Sequence, residues 1–587
     1  MINQNLYLII NFCKKKIIKH KTFIFSISIF SLIFILLGLP FKNWWFYGSD
    51  DFHGLYLGYK TTNWNDLFYF FKNGHTNQEM GPSNYKFSNE PQNFFSAYYR
   101  PLYCIYLTFQ YWLLGTNGYY YHLCNVFFHT TNSLSLFYLF LHLTNLFTAF
   151  LFALMFAVHP QIAYRFGAIV NLHYYINAML LLLLFIFFKN YIDSKKWYYN
   201  LLSVILFSLS LFTRETSIVI PAILFLGLYL YPQKYKFSNF KNLLNKTLNN
   251  FYKVFGLLCS AICFLLLRIY LYPIKFTNCS KPLNLISIIS KIKNRFPELK
   301  VFIYDVLSLS WLPWGQKNLR CIILISIILF LFYSFIKNTK KVYVTYFITS
   351  ALIMLWPAYL VNYNPRYFYE AYPFILFAFI FLFKYSKINF KKFKIIGTAT
   401  LTFFVIFLFI FTFVNFKIRE NKMKIMSGAV YELIQNPIIQ NRNLCFISHP
   451  LESWGEQNAQ IFWTLLNNTS PKILFDSATA ITQIDCNVIK PTKYINICAD
   501  LFEHNYCKIT PIKNGFNFKS LNPKKIHFEP KIERSDYSLG KKIINKTINF
   551  KGLEVVTDFS LIFDKHYLDL DPLFIKWDYE KRKFIIL

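Results

Sequence analysis

The chain has 587 residues, of which 55% are hydrophobic, 21% aromatic and only 15% charged, too little polar surface for a soluble globular protein of that length. Lys and Arg outnumber Asp and Glu by 62 to 28, a formal charge of +34. Much of that excess lies in short loops between apolar runs, where it reports membrane orientation, and no basic patch with interleaved exposed aromatics argues for nucleic acid.

Apolar blocks near twenty residues long recur from Lys21 to Asn415, each able to cross roughly 30 Å of hydrocarbon. Residues 1–20 form a basic segment whose Lys14, Lys15, Lys16 and Lys19 place the N-terminus in the cytoplasm. Helix one is predicted over Lys21–Phe41. It reads as retained, because it is long and is followed by bulky KNWWFYG with no small-residue cleavage site. A first external loop, 42–99, follows and carries the stretch GSDDFHG that begins at Gly48, so Asp50 and Asp51 stand side by side where the helix surfaces into water. Any loop leaving a membrane carries a few acids, and the pair gains meaning only if other reactive groups reach the same side.

The segment Tyr99–Gly115 is short and aromatic enough to lie along the external surface instead of spanning. Helix two, Tyr119–Leu141, carries His122, Asn125, His129 and Asn132 at three- or four-residue spacing, hence on one face. Helix three, about Asn145–Val158, ends at His159–Pro160, and an external loop with Arg165 and His173 leads to helix four, about Tyr175–Phe188. Lys189, Lys195 and Lys196 mark the next cytoplasmic loop. Helix five, near Tyr198–Phe212, climbs to Arg214–Glu215, and helix six, Ile218–Tyr231, descends to a loop with Lys234, Lys241, Lys246 and Lys253. Helices seven to eleven are placed at Val254–Leu271, Cys321–Phe335, Val342–Leu360, Tyr369–Phe383 and Ile395–Asn415, with Asn362–Tyr367 (NYNPRY) between nine and ten. Lysine clusters fall consistently on the predicted cytoplasmic side.

From Lys417 the character changes to short alternating, β-rich runs, among them NLCFISHP, TINFKGLEVV and a closing hairpin around Tyr579–Arg582. The fold class expected is therefore a polytopic α-helical membrane protein of about 11 transmembrane helices (21–416), followed by a soluble, extracytoplasmic α/β or β-rich domain (417–587). Its four cysteines, Cys445, Cys486, Cys498 and Cys507, have three possible connectivities, and their irregular spacing argues against zinc.

The expected topology brings Asp50, Asp51, Arg100, His159, Arg165, Arg214, Glu215 and Arg366, from six segments, to the external interface. Each has a plainer reading alone: Arg100 or Arg366 snorkelling to headgroups, His159 capping a helix end, Asn125 and His129 bonding between helices, Arg214–Glu215 forming a local ion pair. Together they suit group transfer from a lipid phosphate. A carboxylate takes the proton of an attacking hydroxyl, and arginines with a histidine meet the charge of the departing phosphate.

The acid pair after helix one, Arg100–Pro101–Leu102, Tyr121–His122–Leu123–Cys124–Asn125, His159–Pro160, Arg214–Glu215–Thr216 and Arg366–Tyr367 resemble, in order and spacing, the motifs of the GT-C glycosyltransferases. The closest flavour is the protein O-mannosyltransferase branch with the lipid A aminoarabinose transferases. The resemblance implies a glycosyltransferase that moves a sugar from a polyprenyl-phosphate donor, in contact with membrane lipid, to a protein, lipid or cell-envelope glycan acceptor. It implies Asp50 as base with Asp51 beside it. Arg100, His159, Arg165, Arg214 and Arg366 would hold the donor phosphate, and Glu215, His122, Asn125 and Tyr367 would support them. No cofactor is certain; the two acids permit a divalent metal such as Mg or Mn without demanding one. Arg214 departs from the family by standing where Lys is common, and no tetratricopeptide repeats follow helix eleven. A transporter or flippase for a lipid-linked glycan or anionic solute, or an inactive lipid or glycan binder, remain the alternatives.

Overall fold

The computed structural model describes residues 20–40, 54–55, 57–59, 61–73, 99–163, 168–230, 240–271, 332–361, 368–385, 399, 401–414 and 416–417, together with the strand segments 444–448, 473–476, 507–513, 515–520, 540–550, 553–563, 573–578 and 583–586. Up to residue 417 the described chain is helical. The helices are α1 (His20–Gly38), α2 (Trp64–Asn73), α3 (Pro101–Leu114), α4 (Gly118–Leu141), α5 (Leu146–Ala157), α6 (Leu172–Ser194), α7 (Trp197–Thr213), α8 (Ile220–Leu230), α9 (Phe240–Leu271), α10 (Lys341–Val361) and α11 (Phe368–Lys384), and α12 (Leu401–Val414).

Local chemistry sets many of their ends. Pro101 occupies the first turn of α3, where a missing N–H costs nothing, and Gly115 closes the helix at φ 56°. Asn145 caps α5 by accepting from the Thr148 N–H at 2.9 Å. α6 runs on past the apolar block that predicted it, because Lys189 and Asp193 are one turn apart and pair at 2.8 Å. It stops at Lys195, in the left-handed region at φ 56°. His173, expected in the external loop, is instead buried in the first turn of α6. Lys241, Lys246 and Lys253, expected in a loop, belong to α9, whose helix begins well before its apolar half.

Among the described residues, three helices are long and apolar enough to cross a membrane, His20–Gly38, Leu172–Ser194 and Asn245–Leu271, and five shorter apolar helices accompany them. Many helix faces present large apolar side chains outward, such as Phe255, Leu266 and Phe403, as a lipid-facing surface requires. The core runs between consecutive antiparallel neighbours, α6 against α7 and α10 against α11 above all. Close approach is purchased with glycine where α9 meets α7: a Cβ on Gly256 would lie 2.9 Å from Val204 Cγ2.

Among the described residues, eight strands follow in two four-stranded sheets. The first orders β2 (Ile473–Asp476), β1 (Leu444–Ser448), β7 (Leu573–Asp578) and β8 (Lys583–Ile586). β1 is parallel to both its neighbours, and β7 pairs antiparallel with β8 across residues 579–582. The second orders β3 (Cys507–Ile512), β4 (Gly515–Ser520), β6 (Leu553–Phe563) and β5 (Gly540–Phe550), all antiparallel. Cys445 lies on β1 and Cys507 on β3; Cys486 and Cys498 fall outside the described residues.

Candidate functional site

Five ionisable side chains gather where α3, α7, α9 and α11 present helix ends to one another. Arg100 precedes α3, Arg214 and Glu215 form the turn after α7, Arg268 sits in the last turn of α9, and Glu370 in the first turn of α11. The turn is the organising element. Arg214 and Glu215 are adjacent, but they point to different partners and do not pair with each other, so the local-ion-pair reading gives way to two long-range clusters.

The first cluster is enclosed. Arg214 forms an ion pair with Glu370, with side-chain exposures of 0% and 3%, and its guanidinium lies 4.0 Å from the centre of the Tyr174 ring, a cation–π contact that replaces lost solvation. Glu370 also accepts from Asn177 Nδ2 at 2.7 Å and from the Thr216 hydroxyl at 3.5 Å. Asn177 in turn meets the hydroxyls of Ser210, at 2.6 Å, and Ser217, at 3.2 Å. A buried charge survives only when paired and hydrogen-bonded in this way.

The second cluster is less enclosed. Glu215 accepts from Arg100 Nε at 2.8 Å, from the Tyr99 N–H at 2.8 Å and from Arg268 Nη1 at 3.3 Å. Exposures of 12–14% leave all three charged side chains in reach of solvent. Burial pushes the Glu215 carboxyl up, but the Arg100 and Arg268 charges outweigh it and hold the group below its ordinary value. Tyr99 anchors this rim from below: its hydroxyl donates to the Phe71 carbonyl at 2.8 Å, and burial pushes its pKa up to about 12.

The remaining sequence-predicted residues stand as follows. His159 packs its ring against Phe368 and Tyr372, with centroids 4.8 and 4.7 Å away, and so joins the end of α5 to the start of α11. Asn125 donates to the Ala168 carbonyl at 3.3 Å, and His122 is fully buried on the same face of α4. Farther along that face, His129 bridges three helices. Its Nε2 faces the Ala157 carbonyl at 3.0 Å and therefore carries the proton, so Nδ1, 2.9 Å from the Tyr369 hydroxyl, accepts. Asn132 donates to that hydroxyl at 3.0 Å. Asp50, Asp51, Arg165, Arg366 and Tyr367 lie outside the described residues. Among the described residues no group of three His, Cys, Asp or Glu side chains is placed to hold a metal.

Sequence reasoning passed over Glu370 and Arg268. Both carried a usable signal: Arg268 is the one charge in the apolar stretch Val254–Leu271, and Glu370 the one charge in Tyr369–Phe383, where an ionisable group needs a partner. No family model and no curated protein matches this chain.

Proposed function

We propose that the chain is a membrane glycosyltransferase that moves a sugar from a polyprenyl-phosphate donor to an acceptor on the extracytoplasmic face. In this reading it has about eleven spans, a cytoplasmic N-terminus and an extracytoplasmic C-terminal domain. The observation that carries the reading is the segregation of charge. Arg100, Arg214, Glu215, Arg268 and Glu370 share one end of the helices, whereas Lys189, Lys340, Lys341 and Lys384 mark the other. Partly exposed guanidiniums on the side opposite the lysines suit an anionic lipid headgroup.

In the reaction, the acceptor hydroxyl oxygen bonds to the anomeric carbon while the bond from that carbon to the phosphate oxygen breaks. The hydroxyl proton passes to Asp50, and the polyprenyl phosphate leaves with its charge met by Arg100 and the neighbouring arginines. The enclosed Arg214 acts through Glu370 by fixing the turn that presents Glu215, and so as a positioning residue. Asp50 and Asp51 would be the ligands if a divalent metal takes part.

The test uses the full-length protein in proteoliposomes with labelled polyprenyl-phosphate sugars and a membrane extract as acceptor. Transfer and release of polyprenyl phosphate are expected, reduced about 10²-fold or more by Asp50→Asn with donor binding retained. Full transfer by that variant contradicts the reading. A transporter or flippase is the second reading, favoured by the enclosed Arg214–Glu370 pair, since ionisable pairs within helix bundles also mark transport pathways. It requires donor flux across the bilayer that Asp50→Asn leaves intact.

A further inference from the structure

A cavity of about 440 Å³ opens among α4, α6, α8, α10 and α11, away from the Glu215 rim. Its wall is hydrocarbon and aromatic, with Leu181, Phe185, Leu224, Leu228, Phe347 and Phe377 among its lining. On α6 it extends from Ala178 to Ile192, fourteen residues or about 21 Å at the helical rise. That is longer than one leaflet's half of the roughly 30 Å hydrocarbon layer. Ala178 keeps the α6 wall shallow, and Gly227 on α8 lets Tyr346 pack close, since a Cβ there would lie 2.6 Å from its hydroxyl.

The two ends differ in charge. Glu370 closes one end, with its carboxylate turned to Arg214 and Asn177. At the other end His142 and Lys189 line the opening, and Lys384 donates to the carbonyl of Leu143, itself part of the lining. Asp193 offsets Lys189 in part, and Lys384 adds a second positive charge at that opening. An anionic headgroup is therefore attracted to the lysine end.

We infer that this cavity holds an acyl chain of an anionic glycerophospholipid, whose headgroup sits at the His142–Lys189–Lys384 opening and whose chain reaches toward Pro373 and Glu370. The lysine-rich side is the one where anionic lipid is concentrated if these loops are cytoplasmic. Its headgroup end is the lysine end, opposite the donor rim, and the assignment stands whether or not the chain transfers sugar.

The experiment reconstitutes the full-length protein in nanodiscs with phosphatidylglycerol or phosphatidylcholine that carry a diazirine on one acyl chain, and maps the adducts after illumination. Phosphatidylglycerol is expected to label α6, α8 and α11 peptides at least fivefold above phosphatidylcholine. Ala178→Phe should cut those adducts at least fivefold. Because that variant risks the fold, Lys189→Gln with Lys384→Gln at the surface provides the second arm, and should erase the headgroup preference while leaving the protein monodisperse. Equal labelling by both lipids, adducts scattered over the outer faces of the helices, or stronger labelling by a diazirine polyprenyl phosphate would overturn the assignment.

Discussion

Arg214 and Glu215 are consecutive in the chain, yet they inhabit different physical worlds. The Arg214–Glu370 pair is enclosed, with an amide and a hydroxyl on the carboxylate and an aromatic face on the guanidinium. The Glu215 cluster sets two guanidiniums on one carboxylate and is 12–14% exposed. One turn thus supplies both a strut and a rim. Such a strut is costly to break and closed to solvent, whereas the guanidiniums of the rim are partly exposed and better placed to meet an anion. This contrast places Arg100 and Arg268 ahead of Arg214 as groups that touch a donor phosphate.

The largest effect should come from opening the strut. Glu370→Gln, or Arg214→Met, should lower stability by about 3–5 kcal/mol, read as an early thermal unfolding midpoint in detergent. The double variant Arg214→Met with Glu370→Leu should regain most of it, since no buried charge is then left alone. Singles that unfold with the wild type would erase the distinction between the two clusters.

Glu215→Gln comes next, with about 1.5–3 kcal/mol expected from charge-assisted bonds to Arg100 and Arg268. The sign of its pH dependence follows from the lowered carboxyl. The stabilisation is present above the unfolded value near about 4.3 and is lost as pH falls through the lower folded value. Melting curves between pH 3 and 7 should therefore show an acid-side loss that Glu215→Gln largely removes. An equal acid-side loss in wild type and variant would assign it to other groups.

At the opposite end, Lys189→Met should shift stability by no more than about 0.5 kcal/mol, since its pair with Asp193 is exposed and local. A large loss there would mean that the lysine end is a strut as well.

The helices were legible because burial in an apolar surrounding leaves continuous apolar blocks. The block predicted at Tyr119–Leu141 is the helix Gly118–Leu141, and that at Asn145–Val158 is Leu146–Ala157 with Asn145 as its cap. Ends were read less well where polar residues continue a helix, as Lys189–Ser194 do in α6 and the lysines before Val254 do in α9. Membership of the site was partly legible: Arg100, Arg214 and Glu215 could be placed on one side by topology. Their pairing could not. Adjacency suggested Arg214 with Glu215, whereas the folded chain joins positions 214 with 370, and 215 with 100 and 268. Such choices depend on which helices pack together, and that is set by long-range shape, not by spacing along one helix.

The central claim, that the acid pair near residue 50 and the Arg100–Glu215–Arg268 rim share a side opposite the lysines, is tested most directly by labelling single cysteines with a membrane-impermeant maleimide. In a full-length, otherwise cysteine-free protein, Phe52→Cys and Tyr270→Cys should react from the extracytoplasmic side, and Lys195→Cys from the cytoplasmic side alone. Reaction of Phe52→Cys and Lys195→Cys from the same side would contradict the account.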